Sequence, residues 1–344
     1  MDTMTLAEVA ELVGGRLEGD AHVVLRDVAP LDEAGPDELG LLADKRYLER
    51  ADRSRAGALL VTSELTGNLS VERSYVAVDD AHAALVPLLE RFHPPSPWVA
   101  GIHPTATLGA RIRLGEDVTI GPYAVVEDDC VVEDRCRIGP HVVLGRGSRV
   151  GEGTILHASV TLYPGTDIGR CVIVHAGCRI GVDGFGYAVE KGTFRKVPQV
   201  GGCVVEDDVE IGANTCIDRG SIGDTRIGKG CKLDNLVHVA HNVHVDQHSA
   251  MAAQVGIAGS TRIGRGVVMG GQSGAAGHIE IGDGTQVLAR SGVLKSFGAG
   301  ERVAGFPARD ATGFFRATAQ LSRLPELKKR LDRLEEEVRK LGGS

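Results

Sequence analysis

The sequence predicts a mainly β fold, a left-handed parallel β-helix that follows a small α/β domain and precedes a C-terminal α-helix. An aliphatic residue recurs at every sixth position over most of the chain. The 344 residues include 47 glycines but only 4% aromatic residues, so small side chains must stack in a regular way to form the core. The two ends lack this period and have mixed or helical patterns.

The N-terminal α/β domain is predicted to span residues 1–98. "TLAEVAELVG" and "AHAALVPLLERF" have the apolar spacing of amphipathic helices, and "HVVLRDVAP", "AGALLVT" and "SYVAVDD" have the composition of strands. The prolines of "HPPSPW", residues 93–98, can neither sustain a helix nor donate to a strand ladder. This segment therefore marks the domain boundary.

The β-helix is predicted over residues 99–308. The six-residue period runs from Ile102 to Ile180 without exception, through Leu108, Leu114, Ile120, Val126, Val132, Ile138, Leu144, Val150, Leu156, Leu162, Ile168 and Val174. This period is typical of a three-sided prism in which each hexad forms one side and the aliphatic residue points inward. About ten coils of about 18 residues, with glycine at the corners, would stack ~4.8 Å apart.

The six-residue period is interrupted in two places. Residues 181–202, "GVDGFGYAVEKGTFRKVPQVGG", cannot continue the flat sides and are predicted to loop out of the prism. The period resumes at Val205, slips at "DRGSIGDTR" and continues from Ile227 to Val293. Four cysteines fall on the small fourth position of a hexad and are predicted to fill the core: Cys130, Cys136, Cys178 and Cys231.

Composition excludes several functional classes. The formal net charge is −8 and no long basic run precedes the last thirty or so residues, which argues against a nucleic-acid partner. No apolar stretch is long enough to span a membrane, and the N-terminus does not resemble a secretory signal. Seven cysteines without CxxC spacing suit free thiols in a reducing compartment, so we expect a cytoplasmic protein.

The C-terminal extension, residues 309–344, predicts self-association. After Pro325 opens the helical segment, apolar residues alternate spacings of three and four: Leu324, Leu327, Leu331, Leu334, Val338 and Leu341. A helix with such a stripe usually pairs with copies of itself. Because the flat prism faces would also be covered in a cyclic oligomer, we expect a homotrimer with ligand-binding clefts between neighbouring prisms.

Residues 234–250 contain four of the twelve histidines: His238, His241, His244 and His248. His238 and His244 fall on successive sides of the prism, so they cannot share a metal ion within one chain. A metal site across a subunit interface is an alternative, and His244 and His248 also suit plain surface positions. No metal site is predicted.

His241 falls beside a corner, where its side chain can lean into a cleft. Gly259 lies 18 residues later, one coil above at a spacing of ~5 Å. A histidine base and a bare backbone donor are the two parts that acyl transfer needs. Asp234 is the candidate carboxylate for fixing the histidine tautomer, and His278 lies two coils away at ~10 Å, too far for a direct hydrogen bond. Geometry alone leaves open whether His241 is catalytic.

With these features the sequence resembles the UDP-3-O-acylglucosamine N-acyltransferase family of lipid A biosynthesis. The resemblance covers nearly the whole chain and is carried by "DGFGYA", "KVPQVG", "VEIGANTCIDRGSIGDTRIGKGCKLDN", "VAHNV", "AGS" and "GHIEI". It implies a homotrimer that transfers a (R)-3-hydroxyacyl group from the phosphopantetheine arm of acyl carrier protein to the 2-amine of UDP-3-O-acylglucosamine. It implies no metal and no cofactor besides the arm of the donor.

The resemblance also implies roles for individual residues. His241 would be the general base, Gly259 the oxyanion donor and His278 a supporting residue, with Asp234 and Asn235 as the family's "DN" pair. The family holds uridine with a phenylalanine, an asparagine and a tyrosine at spacings of three, and these positions are Leu41, Asp44 and Tyr47 here. Only the tyrosine is retained, which predicts weaker or differently arranged uridine binding. The basic residues that could dock the acidic carrier protein are Lys295, Arg302 and Arg309.

Two rival functions are compatible with the repeat alone. One is an O-acyltransferase or acetyltransferase of the same fold that acts on another UDP-sugar, against which the N-terminal domain and the "DGFGYA" insertion argue. The other is a β-helical scaffold without activity, against which the placement of His241 one coil below Gly259 argues.

Overall fold

The computed structural model describes residues 3–69, 73–94, 98–305 and 311–341. The chain divides into two compact units, residues 1–97 and 98–344. Arg309, a predicted carrier-docking residue, and residues 95–97 of the predicted boundary segment lie outside the described residues. No described helix combines the length and the apolar character needed to cross a membrane.

The N-terminal unit is an α/β domain built on one mixed sheet. Its strands, in spatial order, are Arg16–Glu18, Tyr75–Val78, Ala58–Thr62, Glu38–Leu42 and Asp27–Ala29. The short strands Met4–Thr5 and Val24–Leu25 pair separately. The helices are α1 (Leu6–Val13), α2 (Leu48–Arg53) and α3 (Ala81–Phe92), with single 3₁₀ turns at Lys45–Tyr47 and Ser63–Asn68.

Local sequence signals fix the ends of α1. Thr5 caps the first turn by accepting a hydrogen bond from the Glu8 N–H, and the Glu8 carboxylate accepts one from the Thr5 N–H. Gly14 ends the helix in the left-handed region, at φ 62°. The strands Arg16–Glu18 and Glu38–Leu42 were not predicted from the sequence, because neither contains the β-branched residues that the prediction relied on.

The second unit is a left-handed parallel β-helix, as the six-residue period predicts. In the described part of the chain its three sides contain eleven, ten and nine strands. The first side consists of Gly101–Ile102, Thr119–Ile120, Arg137–Ile138, Ile155–Leu156, Ile173–Val174, Glu210–Ile211, Lys232–Leu233, Ala250–Met251, Val268–Met269, Gln286–Val287 and Arg302–Val303. The second side consists of Thr107–Leu108, Val125–Val126, Val143–Leu144, Thr161–Leu162, Arg179–Val182, Cys216–Asp218, His238–Val239, Gly256–Ile257, Gly274–Ala275 and Gly292–Val293. The third side consists of Arg113–Leu114, Val131–Val132, Arg149–Val150, Thr166–Ile168, Cys203–Val205, Thr225–Ile227, His244–Val245, Arg262–Ile263 and Glu280–Ile281.

The core of the prism consists of the aliphatic residues at the six-residue period. Ile138, Leu156 and Val174, which stack on the first side, are fully buried, and their strands pair in parallel 18 residues apart. The cysteines at the fourth position are buried and unpaired, as predicted. Burial raises the pKa of Cys136 to about 11, so this thiol stays protonated at neutral pH.

The corners of the prism use more than glycine. Non-glycine residues occupy the left-handed region at many of them, among them Asn242 at φ 59°, Ser260 at φ 62° and His278 at φ 60°. These three residues follow one another in successive coils, at the corner between the second and third sides. Asparagine tolerates this region better than most residues, so the chain builds these corners at a small conformational cost.

The first interruption forms a β-hairpin, with strands Tyr187–Glu190 and Thr193–Lys196 paired antiparallel. The aromatic rings of Phe185, Tyr187 and Phe194 contact one another edge to face on it. At the second interruption one coil takes 22 residues, as the pairing of Cys203 with Thr225 shows. The chain ends in α4 (Ala311–Leu321) and α5 (Leu324–Leu341).

Candidate active site

His241 lies at the corner between the second and third sides, and its ring packs against Gly259 in the next coil. A methyl group built on Gly259 would lie 2.7 Å from His241 Nε2 and 2.6 Å from Cε1, so no larger residue leaves this ring in place. The coils are joined here by the Ser260 N–H, which donates to the His241 carbonyl at 2.9 Å. The structure therefore brings together the base and the backbone donor that the sequence predicts.

The backbone amide of Gly259 is available to a ligand. Its neighbours Ala258 and Ser260 donate to carbonyls of adjacent coils, at 3.0 and 2.9 Å. Among the residues that the structure describes, no group accepts a hydrogen bond from the Gly259 N–H itself. A free N–H beside an imidazole can stabilise a negative oxygen that forms there.

The orientation of His241 is set by Asn242. His241 Nδ1 lies 3.2 Å from Asn242 Oδ1, which also accepts hydrogen bonds from the Ser221 N–H at 3.0 Å and the Ser221 hydroxyl at 2.7 Å. Because the Ser221 N–H can only donate, this Asn242 atom is the amide oxygen, and His241 must carry its proton on Nδ1. The lone pair then lies on Nε2, the atom that faces Gly259.

Asp234 does not occupy the orienting position within the chain. Its carboxylate accepts hydrogen bonds from the Asn235 N–H at 2.7 Å and the Asn235 side-chain amide at 3.0 Å. Both residues follow the strand Lys232–Leu233 and lie at the corner between the first and second sides, one corner before His241. Within one chain it is therefore Asn242, and not Asp234, that contacts the His241 ring, because Asp234 stands one corner earlier in the prism.

His278 lies two coils from His241, as the spacing predicts. Its N–H donates to the Gly259 carbonyl at 3.1 Å, so it stands one coil beyond Gly259, at an exposed corner position. His278 and His241 are therefore linked only through the coil that contains Gly259.

A cleft of about 570 Å³ opens beside His241 along the second side. Its floor consists of glycines and alanines stacked in successive coils, and Phe185 of the hairpin segment forms one wall. The small residues that line it are Ala240, Gly256, Ala258, Gly259, Gly274, Ala275, Ala276 and Gly292. Because nearly all of its lining is apolar, the cleft suits a hydrocarbon chain that leads to the imidazole.

The base of the hairpin closes over His241. A methyl group built on Gly184 would lie 2.7 Å from His241 Cβ and 3.1 Å from the side-chain oxygen of Gln199. Gln199 is buried and donates to the Val197 carbonyl at 3.0 Å. The predicted loop is thus part of the candidate site, a role that the period alone could not reveal.

A buried carboxylate, Asp218, was missed by the sequence reasoning. Its side chain is 6% exposed, and its Oδ2 lies 3.8 Å from Nε2 of His238. Burial raises the pKa of Asp218 to about 6, against the lowering effect of the His238 and His241 imidazoles. The sequence feature that could have identified Asp218 is its position directly after the inward Ile217, in the strand that pairs with His238–Val239.

A second cleft, of about 820 Å³, lies along the first side and includes Asp234 and Asn235. The rings of His157 and His175 stack there with centroids 5.1 Å apart, and His175 Nε2 lies 3.1 Å from Glu210 Oε1. Burial is the main cause that lowers the pKa of His157. The structure thus assigns the "DN" pair and His241 to different clefts of one chain.

The remaining histidines of the cluster lie on other surfaces. His244 Nε2 lies 3.2 Å from the Asp224 carbonyl on the third side, and the exposed His248 ring lies near Gly230. Within the described ranges, no group of three or more His, Cys, Asp or Glu side chains is arranged to hold a metal ion.

The predicted uridine-binding residues lie together in the N-terminal unit. Leu41 is half-buried against the core, and Tyr47 is 40% exposed with the guanidinium groups of Arg46 and Arg50 within 5.8 and 5.5 Å of its ring centroid. Asp44 accepts hydrogen bonds from Arg46 Nε at 3.0 Å and Nη2 at 2.8 Å, and these bonds lower the pKa of its carboxyl group. Asp44 is therefore engaged by Arg46.

The two described carrier-docking candidates lie near the end of the β-helix. Lys295 is exposed, with its Nζ 5.6 Å from the ring centroid of Phe297. Arg302 is exposed in the strand Arg302–Val303. Both cations are accessible to a partner.

Comparison with known proteins identifies the family. Residues 22–91 match the family model described as UDP-3-O-(3-hydroxymyristoyl) glucosamine N-acyltransferase, LpxD, and residues 111–146 match the bacterial transferase hexapeptide model. The UDP-3-O-acylglucosamine N-acyltransferase of Anaeromyxobacter sp. (strain K) is 43% identical over 99% of this chain and 98% of its own length. That of Pseudomonas syringae pv. tomato is 40% identical over 74% and 72%.

Among solved structures, the UDP-N-acetylglucosamine O-acyltransferase of Moraxella catarrhalis is 27% identical, with a TM-score of 0.48 over 70% of this chain and 91% of that chain. The match to the relative from Anaeromyxobacter extends over both units of the present chain. The chain belongs to the UDP-3-O-acylglucosamine N-acyltransferase family, and is an acyltransferase.

Proposed function

We propose that this protein transfers a (R)-3-hydroxyacyl group from acyl carrier protein to the 2-amine of UDP-3-O-(3-hydroxyacyl)glucosamine, giving UDP-2,3-diacylglucosamine. The single observation that carries the mechanism is the contact of the His241 ring with Gly259, which puts a base beside a free N–H. The names of the relatives supply the substrate class.

His241 acts as the general base in this reaction. The neutral 2-amine attacks the thioester carbonyl, a C–N bond forms, and the carbonyl oxygen becomes an oxyanion. His241 Nε2 takes the proton that the nitrogen loses, because Asn242 keeps the other ring nitrogen protonated. The orientation of the ring supports this assignment.

Gly259 stabilises the oxyanion through its N–H until the intermediate collapses. The C–S bond then breaks, and the phosphopantetheine thiolate takes the proton from His241. The proposed steps use only groups of the chain and of its two substrates. The apolar cleft beside His241 has the lining expected for the acyl chain of the donor.

The acyl donor is a carrier protein, and the active assembly is a homotrimer in the cytoplasm. The exposed cations Lys295 and Arg302 support an acidic partner. The leucine stripe of α5 is 47–79% exposed in the single chain, which supports association with two further copies. The seven unpaired cysteines suit a reducing compartment.

The test is a transfer assay with 3-hydroxyacyl carrier protein and UDP-3-O-acylglucosamine, which compares the native chain, His241→Ala and His244→Ala. His244 is the matched control, because it lies on the third side, where the hydrogen bonds that the structure describes for its ring are to the Asp224 carbonyl and Arg262. We expect turnover by the native chain and His244→Ala and its loss in His241→Ala. Transfer to UDP-N-acetylglucosamine, or from acetyl-CoA, with none to the amine substrate would overturn the proposal.

A further inference from the structure

Asp218 is a buried acid behind His238, a residue that lines the cleft, and it has no role in the mechanism above. It ends the second-side strand Cys216–Asp218, which pairs with Arg179–Val182 in one coil and with His238–Val239 in the next. The residue pairs with Val182, where the hairpin segment begins, and is only 4% exposed. A carboxylate so deeply buried costs free energy unless it has compensating partners.

The groups that face Asp218 come from three elements. His238 from the adjacent strand lies 3.8 Å away, and His241 follows two residues after Val239, the residue that pairs with Ile217 next to Asp218. Both imidazoles lower the pKa of the Asp218 carboxyl group. The Asp183 carboxylate, at the base of the hairpin segment, raises the pKa of Asp218. The adjacent Arg219 directs its guanidinium to the Pro164 carbonyl. The two imidazoles are therefore the positive partners available to Asp218.

Two thiols complete the surroundings of the carboxylate. Cys203 lies on the third side, and Cys216 lies in the same strand as Asp218. Burial is the main cause that raises the pKa of both thiols, and the negative charge of Asp218 raises it further. Both remain neutral at physiological pH, so they add no further negative charge beside the carboxylate.

We propose that Asp218 is a positioning residue of the acyl transfer, whose buried carboxylate holds His238 and stabilises the positive charge that His241 acquires when it takes the proton of the amine. The inference rests on the proposed function, because only a reaction that charges His241 needs such a group. A charge fixed in a poorly solvated wall acts strongly on a neighbouring imidazole, and it needs no reorganisation during the reaction.

The experiment measures kcat and KM for the UDP-sugar from pH 5 to 9 in the native protein, Asp218→Asn, Asp218→Glu and Asp167→Asn. We expect Asp218→Asn to lower kcat about tenfold or more with little change in KM, since a partly buried charge pair contributes at least that factor. The acid limb of kcat/KM should move to lower pH, because loss of the negative charge disfavours protonation of His241. Asp218→Glu should keep the acid limb near its native position.

Asp167→Asn is the matched control, because Asp167 is an exposed carboxylate on the third side that the mechanism does not use. Its kinetics should equal those of the native protein. An Asp218→Asn protein with native kcat and an unmoved acid limb would overturn the inference. If Asp218→Asn fails to fold, Asp218→Glu provides the test. An acid limb of kcat/KM that is displaced from its native position in Asp218→Glu would then overturn the inference. A native protein without N-acyl transfer would instead overturn the proposed function, and the inference with it.

Discussion

His241 Nδ1 lies 3.2 Å from Asn242 Oδ1, the same oxygen that accepts a hydrogen bond from the Ser221 N–H. The relationship determines which ring nitrogen of His241 can act as a base. Asn242 reaches this position because it occupies the corner in the left-handed region, at φ 59°, and donates its N–H to Thr225 Oγ1. A residue at a backbone corner thus also orients the adjacent imidazole, which is the proposed base.

The first prediction concerns Asn242. Asn242→Ala removes the acceptor of the Nδ1 proton, so we expect kcat for acyl transfer to fall by about tenfold to a hundredfold, the range typical of an outer-shell partner. Asn242→Asp keeps an acceptor oxygen and should retain more of the activity. Steady-state kinetics of both variants, with circular dichroism to verify folding, measures this.

The negative charge that Asn242→Asp introduces provides an independent readout. An ionised carboxylate against Nδ1 favours the protonated ring, so the acid limb of kcat/KM should move to higher pH. Equal activity in the native, Asn242→Ala and Asn242→Asp proteins would show that the ring is oriented by other groups.

The second prediction concerns Gly259. The methyl group of Gly259→Ala would lie 2.6 Å from His241 Cε1, so the ring must turn away from Asn242. Because displacement of a catalytic group by about 1 Å costs on the order of a hundredfold, we expect kcat to fall by that factor with the fold intact. Gly67→Ala is the control, since nothing lies within 4 Å of the methyl group added there. Native kinetics of Gly259→Ala would contradict the contact.

The fold was largely predictable from the sequence. A six-residue period of inward aliphatic residues has one regular solution, and Ile138, Leu156 and Val174 stack as the period requires. The period does not specify the corners, because it fixes only which residues point inward. Asn242 and His278 adopt positive φ where glycine was expected.

The candidate site was predictable in part. His241 and Gly259 are 18 residues apart, one coil, so their contact follows from the period. Asp218 and Asn242 escaped prediction because their roles depend on the two interruptions, where spacing no longer measures distance. Asp234 was chosen by its position in the sequence, whereas one side of the prism separates it from His241.

The third prediction concerns uridine binding by the N-terminal unit. If Tyr47 stacks on the base, Tyr47→Ala should raise KM for the UDP-sugar by about 5- to 100-fold, the range for loss of one aromatic stacking partner. Tyr47→Phe keeps the ring and should retain most of the affinity. Isothermal titration with UDP measures the effect without turnover. Native affinity in Tyr47→Ala would show that the uridine does not contact this ring.

The fourth prediction concerns the stripe of α5. Leu331 and Leu334 are 56% and 55% exposed in the single chain, and burial between subunits would stabilise a trimer by about 1.5–3 kcal/mol for each side chain. The double change Leu331→Ser and Leu334→Ser should therefore make the trimer dissociate at higher protein concentration, as measured by light scattering after size exclusion. The control is the double change Arg330→Ser and Arg333→Ser, which alters the same helix outside the apolar stripe. It should leave the dissociation of the trimer unchanged. A native chain with the mass of a monomer would contradict the prediction.

The last prediction follows from the pKa of Asp218, which burial raises to about 6 from an ordinary value of 3.8. The folded state holds this proton more tightly than the unfolded chain, so the contribution to stability is full below about pH 4 and is lost as the pH rises through about 6. The loss at pH 7 is about 3 kcal/mol for a shift of this size. The asparagine of Asp218→Asn is neutral at every pH, so this variant does not lose stability in that way as the pH rises.

The free energy of unfolding of Asp218→Asn relative to the native protein should therefore rise between pH 4 and pH 7 by up to about 3 kcal/mol. Urea denaturation at one protein concentration measures it, and Asp167→Asn, which alters an exposed carboxylate, should give a curve parallel to the native one. Parallel native and Asp218→Asn curves would mean that the carboxylate is as well solvated in the folded protein as in the unfolded chain. A variant that is more stable yet slower would instead place Asp218 among the residues retained for function at a cost in stability.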